Sequence, residues 1–261
     1  MIRIVLLDAA GYKIAAAEGK TEAALCVERE YIEGDVVRIS GSKHLWVRMD
    51  MSVPEGEVYA PKGSMDWKIP MGEHRLAYSP VAFTGTRHVV WAREMTREEV
   101  AHDRAISRNP SDLRGDTDFF PHATANVETR NESCFAARNV IDGMLLNNYH
   151  GEWPWQSWGI GIREDAEWRL DFGREIVTDR LAVVLRADFP HDAWWKHATV
   201  TLSDGTKVGI DLEKTPERQF VALDGEHRIS WLTFGGLVKA DDPSPFPSLT
   251  QLEVYGHDAE D

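Results

Sequence analysis

Cysteine is nearly absent: Cys26 and Cys134 are the two in 261 residues, and they sit in separate halves of the chain. Two such residues give no disulfide framework and are expected as buried thiols. Long apolar runs are missing too. No stretch approaches the roughly 18 apolar residues of a membrane span. The early run Ile4-Val5-Leu6-Leu7 is stopped by Asp8, too soon for a signal peptide. The expectation is a cytoplasmic protein with no membrane partner. Basic charge is in deficit, with 29 Lys and Arg against 43 Asp and Glu and a net charge of −14. That excludes a general nucleic-acid or anionic-membrane partner, because both need a basic surface. No zinc-ligand spacing, Gly-rich phosphate loop or nucleophile elbow is present. Gly159-Ile160-Gly161-Ile162 lacks the strand and helix that a dinucleotide fingerprint requires.

What the chain does hold is tryptophan, ten residues of it, in a composition otherwise ordinary for a globular protein. Indoles fill β-sandwich cores and also stack on sugar rings, so the count alone does not assign them. Residues 1–94 read as short strands rich in β-branched and aromatic residues. The runs are Val36–Ile39, Leu45–Met49, Val58–Ala60, Met65–Ile69 and Val89–Arg93, separated by Gly and Pro turns such as Glu33-Gly34-Asp35 and Pro61-Lys62-Gly63. No helix longer than a turn is expected there, except around Glu22–Val27. Thr96-Arg97-Glu98-Glu99 has the form of a capping box and predicts a helix of about ten residues ending at Asn109-Pro110.

The second half carries motifs in a fixed order. Ala123-Thr124-Ala125 leads to Ala136–Gly143, which ends in Asp142-Gly143. Glu167-Trp168-Arg169-Leu170-Asp171-Phe172-Gly173 comes next, then Thr178–Val184, Ser203-Asp204-Gly205 and Leu252-Glu253-Val254-Tyr255-Gly256. This order resembles the discoidin or coagulation-factor C-type β-sandwich, the fold of the family 32 carbohydrate-binding modules. The resulting expectation is an all-β protein of two β-sandwich, jelly-roll-like domains joined by a short helical linker. Residues 1–94 form the first domain, 95–109 the linker and 110–257 the discoidin-like domain, with a frayed acidic tail at 258–261.

Three loops of that half hold the residues sugar recognition needs. Asn147–Trp158 carries Trp153, Trp155 and Trp158, with Glu152, Gln156, Asn148 and His150 able to bond hydroxyls; Trp158, at the family's Trp position, is expected in the core. Arg186–His197 carries Arg186, Asp188, His191, Asp192, Trp194 and Trp195. The two adjacent indoles cannot both face inward on a strand, and Arg186 suits the carboxylate of a uronic acid, or a bridge to Asp188. Lys239–Pro247 is stiffened by three prolines. Glu128 and Arg130 are expected as an outward ion pair on a strand.

The resemblance implies a structural Ca²⁺ between Asp142 and Glu253, although Met144-Leu145-Leu146 stands where relatives have polar ligands. The leading reading is a protein that binds a mono- or oligosaccharide, including a uronic acid, through Trp153, Trp155, Gln156, Arg186, Asp188, His191, Trp194 and Trp195. The alternative is a sugar-processing enzyme of hydrolase, lyase or isomerase type, or its non-catalytic subunit. There Asp188, His191, Asp192, Glu152 and His122 would meet at the domain interface and supply acid and base. A protein partner or a homo-oligomer is a third possibility.

Overall fold

The computed structural model describes residues 1–186 and 193–259. The chain folds into two packed antiparallel β-structures with a short helix between them.

The first contains β1 (Ile2–Leu7), β2 (Lys13–Gly19), β3 (Glu22–Val27), β4 (Val36–Ser40), β5 (His44–Arg48), β6 (Gly56–Tyr59), β7 (Ser64–Lys68) and β8 (His88–Glu94). They form two four-stranded sheets, β2-β1-β4-β7 and β3-β8-β5-β6. Only β1–β2 and β5–β6 are hairpins within a sheet; every other connection crosses between sheets, which gives the jelly-roll character. Alternation places Ile2, Ile4, Leu6, Val37, Ile39, Leu45, Val47, Met65 and Trp67 in the shared core. Glu22–Val27 is a strand rather than a helix. Its pattern has period two, burying Ala23, Leu25 and Val27, and it is held in register by β8. That same alternation turns Cys26 outward, so one thiol is exposed and only Cys134 is buried.

The capping box forms: Thr96 Oγ1 accepts from the Glu99 backbone N–H at 3.2 Å, and the Glu99 carboxylate accepts from Thr96 N–H at 2.9 Å. The helix it starts, α1 (Arg97–Ala101), is five residues long, not ten. His102 turns extended, and the chain is drawn into β9 (Arg104–Ala105) by pairing with the last strand.

The second structure contains β10 (His122–Ala125), β11 (Trp158–Gly159), β12 (Trp168–Leu185), β13 (Trp195–Leu202), β14 (Lys207–Asp211), β15 (Gln219–Lys239) and β16 (Ser248–Asp258). β12 and β15 serve two layers. Residues 168–171 of β12 pair with β10 and with 231–234 of β15, while 176–185 pair with β16 and with 219–229 of β15. The layer change falls at Phe172–Glu175, where strands of a sandwich turn a corner. Gly173 makes it possible: its φ is +66°, and a Cβ there would come within 2.2 Å of the Phe120 ring. The motifs behind the discoidin resemblance lie on β10, on the Asp142-Gly143 turn, on β12 and β16, and on the Ser203-Asp204-Gly205 turn. Trp158, Trp168, Trp195, Phe172 and Phe234 are fully buried at the centre. No helix among the described residues is long and apolar enough to cross a membrane.

Residues 106–121 are fastened to both halves. Ile106 lies in the second core and Phe119 in the first. Trp67 Nε1–H donates to Ser111 O at 2.8 Å and Tyr78 O–H to Asp112 O at 3.0 Å. Tyr59 and Phe120 exchange backbone hydrogen bonds of 2.7 and 2.8 Å. Beside them lies a buried ion cluster. Arg104 is bidentate to Glu57 at 2.6 and 2.7 Å and reaches Asp258 at 2.8 Å. Arg174 bonds Glu57 at 2.8 Å and Asp258 at 2.5 Å, its guanidinium 4.7 Å from the Tyr59 ring centre. Asp258 is therefore the end of β16 and a structural charge, not part of a frayed tail.

Candidate functional site

The Asp142-Gly143 turn sets the first loop. Asp142 is buried and accepts from Met144 N–H at 2.8 Å, Gln156 Nε2 at 2.8 Å and Gln251 Nε2 at 2.9 Å, with Arg138 at 3.8 Å. Burial pushes its carboxyl above the ordinary range despite Arg138 and these donors. Glu253 is engaged elsewhere, bidentate with Arg218 at 2.7 and 3.0 Å and accepting from Tyr255 O–H at 2.7 Å. A calcium site needs about six to eight oxygen ligands. Here both carboxylates face protein donors, so Asp142 and Glu253 do not fit the ion that the resemblance implies. His44, Glu57 and Asp258 also lie close together, but Arg104 and Arg174 occupy their carboxylate oxygens.

The first loop divides its aromatics. Trp158 is core, its Nε1–H donating to Val127 O at 2.8 Å. Trp153 turns toward the first sandwich: its backbone N–H donates to Leu76 O at 3.1 Å, and it lines a small cavity together with Val53, Pro54 and Tyr78. Gln156, 2% exposed, is the partner of Asp142 and not a free donor. Trp155 is half-buried at the edge, donating from Nε1 to Asn148 Oδ1 at 3.2 Å. Its ring meets that of exposed Tyr149 edge-on at 5.4 Å, and Tyr149 stacks on His150 at 5.3 Å. Asn147 pins the loop by donating to Leu185 O and Pro216 O, each at 2.9 Å.

Of the second loop, Asp188, His191 and Asp192 lie outside the described residues. Trp195 is 1% exposed and packs against Trp158 and Phe234, with ring centres 6.3 and 6.1 Å away. Trp194, the alternate position, lies half-buried at the margin of that core. Its carbonyl accepts from Ala240 N–H at 2.9 Å, and Ala193 bridges Pro247, so the second and third loops share a base. Arg186 is 6% exposed and donates from Nη2 to Phe246 O at 2.9 Å, while its N–H donates to Ser248 O at 3.2 Å.

Those attachments bring the three loops around one cleft of about 600 Å³. His150 comes from the first loop, Arg186 from the second and Pro243–Pro247 from the third, with Ser248 at the start of β16. The opposite wall is Thr129, Arg130, Phe135, Ile160 and Gly161. Thr129–Asn131 is a 3-10 turn rather than a strand. Arg130, at φ +51°, pairs with Glu132 at 2.6 Å and lies over Phe135, while Glu128 pairs with Arg114 at 2.7 Å. Sequence reading misses Arg130, Phe135 and Ile160 as wall residues. The left-handed backbone at Arg130 is not announced by a residue type prone to it. Phe246 is 52% exposed at the rim. Among the described residues of the wall, each ionisable one is basic: Arg130, His150 and Arg186.

The acid–base set is not assembled among the described residues. Glu152 is exposed on the first loop. His122 is buried on β10, its Nδ1 2.7 Å from Asp112 Oδ1. Burial pulls its pKa down, but the Asp112 carboxylate outweighs that and leaves it raised. Neither residue lines the cleft.

No protein-family model matches this chain, and no curated protein does. Solved structures do match. One is the family 32 carbohydrate-binding module of C. perfringens NanJ in complex with galactose, at 16% identity and TM-score 0.39, covering 51% of this chain and 91% of the module. Another is chitosan-binding module 1 of a chitosanase/glucanase from Paenibacillus sp. IK-5, at 16% identity and TM-score 0.38, covering 52% and 95%. A fucose binding module of Streptococcus pneumoniae matches at 14% identity and TM-score 0.40, covering 57% and 93%. These are carbohydrate-binding modules of discoidin-like fold, and at such identities and TM-scores their ligands are a property of those modules alone.

Proposed function

We propose that the protein binds a carbohydrate, and that the ligand carries a carboxylate, as a uronic acid does. The observation that supports this most is the cleft wall. A chain of net charge −14 presents Arg130, His150 and Arg186 there, beside Phe135, Ile160, Phe246 and three prolines. Small-molecule clefts commonly hold about 300–1,000 Å³ and combine an apolar wall with a few polar groups. The Phe246 ring and the Tyr149–Trp155 rim offer surface to the C–H face of a pyranose, and the guanidinium groups offer charge-assisted hydrogen bonds to a carboxylate. Arg186 is already oriented by Phe246 O, which lowers the ordering cost of binding. In this reading Trp155 and Trp194 act from the margin.

The test is saturation-transfer NMR with glucuronate, galacturonate and their neutral parent hexoses, followed by spectra over a day. The expected result is transfer to a uronic acid with unchanged sugar signals, at least tenfold weaker for Phe246→Ala and Arg130→Ala. Equal transfer to the neutral sugars would remove the acidic ligand from the reading. New alkene or anomeric protons would replace binding with catalysis.

A further inference from the structure

A second cavity, of about 150 Å³, lies where the sandwiches meet, away from the loop cleft and sharing no wall residue with it. The first sandwich contributes Lys68 at the end of β7, with His74 and Tyr78 from the 3-10 turn Gly72–Ala77 and its exit. The second contributes Arg114, Ser133 and Arg138. Glu33 is the single acid of the wall, and the remainder is apolar.

Arg138 is the informative residue. It belongs to the 3-10 turn Ala137–Ile141 and is 3% exposed. Its guanidinium lies 4.5 Å from the Tyr78 ring centre. Nη2 donates to Pro110 O at 2.9 Å, and Nη1 makes long bonds to Asn139 Oδ1 at 3.3 Å and Ala77 O at 3.4 Å. Nε is buried with no hydrogen-bond partner. A buried guanidinium needs both a counter-charge and filled donors, since desolvation otherwise outweighs what its contacts return. The nearest carboxylate, Asp142 at 3.8 Å, is shared with Met144 N–H, Gln156 and Gln251. Lys68 has no ion pair among the described residues. Arg114 is 2.7 Å from Glu128 and 3.5 Å from Glu73. The Ser133 hydroxyl donates to Glu73 at 2.8 Å. The cavity wall thus carries Lys68, Arg114 and Arg138 to one acid, Glu33, on an aromatic floor, with Glu73 and Glu128 paired to Arg114 and Asp142 to Arg138.

We infer that this interdomain cavity is a second ligand site, which takes a small oxyanion of phosphate or carboxylate type. The anion sits against Tyr78, accepts from Arg138 and Arg114, and is closed in by Lys68 and His74 at the mouth. Both sandwiches supply contacts, so its occupancy fixes their relation. The inference does not rest on the carbohydrate reading of the loop cleft.

The experiment is calorimetric titration of the full chain with inorganic phosphate and, separately, with acetate, at ionic strength held constant with chloride. One saturable site per chain is expected for at least one of them, and the tighter anion names the ligand class. Affinity is expected to fall at least tenfold in Arg138→Gln and severalfold in the double variant Lys68→Ala, His74→Gln, but to persist in Lys207→Ala on exposed β14. If Arg138→Gln does not fold, the double variant decides, since both of its residues are exposed. No saturable binding of either anion, or affinity unchanged in the double variant, overturns the inference.

Discussion

Asp142 shows how one buried carboxylate governs its neighbourhood. Met144 N–H, Gln156, Gln251 and Arg138 all converge on it. Replacing Gln156 by Ala strips a buried acceptor of one donor, a loss of about 1–3 kcal/mol by the usual cost of an unsatisfied group. The midpoint in urea is expected to fall accordingly, with an unchanged slope. Because the oxygens of Asp142 and Glu253 already face protein donors, adding a calcium chelator is expected to leave thermal unfolding where it was. A clear drop would show an ion held elsewhere. At this scale the sequence reveals which residues are chemically capable, and less of what they face. Parity correctly requires that Trp194 and Trp195 differ, but which one is core depends on the register of β13 with β15. Gln156 reads as a sugar contact until its distance to Asp142 is seen, a pairing across fourteen residues that no local pattern encodes.

Among the elements, α1 is the one whose start is written in the chain, because a capping box is local chemistry. The Arg93 guanidinium, 2.6 Å from Glu99, and the Thr96 N–H together outweigh partial burial and hold the Glu99 carboxyl down at about 2. A carboxyl lowered in the folded state stabilises above its unfolded pKa and loses that contribution as pH falls. Stability owed to Glu99 should therefore fade as pH drops from about 4.5, the ordinary value, to about 2. Acid titrations followed by circular dichroism are expected to show a shallower decline in that window for Glu99→Gln. Thr96→Ala should cost about 1 kcal/mol at neutral pH, as N-cap losses do. Strands β4 to β8 are legible because β-branched and aromatic residues alternate between turn residues. β2 and β3 are not, because Lys13–Gly19 and Glu22–Val27 are built largely of Ala, Glu and Leu, which favour helix. Pairing with β1 and β8 overrides that preference. The end of α1 escapes a local reading for a similar reason: β16 captures Arg104 and Ala105 before Asn109 can end anything.

For the whole molecule, the decisive contacts join residues far apart, such as Glu57 and Arg174 at 117 positions' separation. No pass along a sequence finds these, although the resemblance of residues 123–256 to a known sandwich does reveal the second fold. The cluster of Glu57, Arg104, Arg174 and Asp258 has one carboxylate from each sandwich and is almost closed to water. Removing one member of such a buried network costs about 3–5 kcal/mol, because the remaining charges lose their counterpart. Scanning calorimetry of Glu57→Gln is expected to separate one unfolding transition into two, with the first sandwich melting earlier. A single transition, merely lowered, would mean that the segment 106–121 alone couples the halves.

That segment has a consequence for recombination. Phe119, fully buried in the first core, is borne by the stretch leading into the second sandwich, and Phe120 completes a bridge with Tyr59. Cutting before residue 110 takes the plug out of one half and strands a bare aromatic on the other; cutting after 121 severs β10 from its own lead-in. Neither half of this chain is a transferable cassette, and any shuffling that keeps both folds has to move them together.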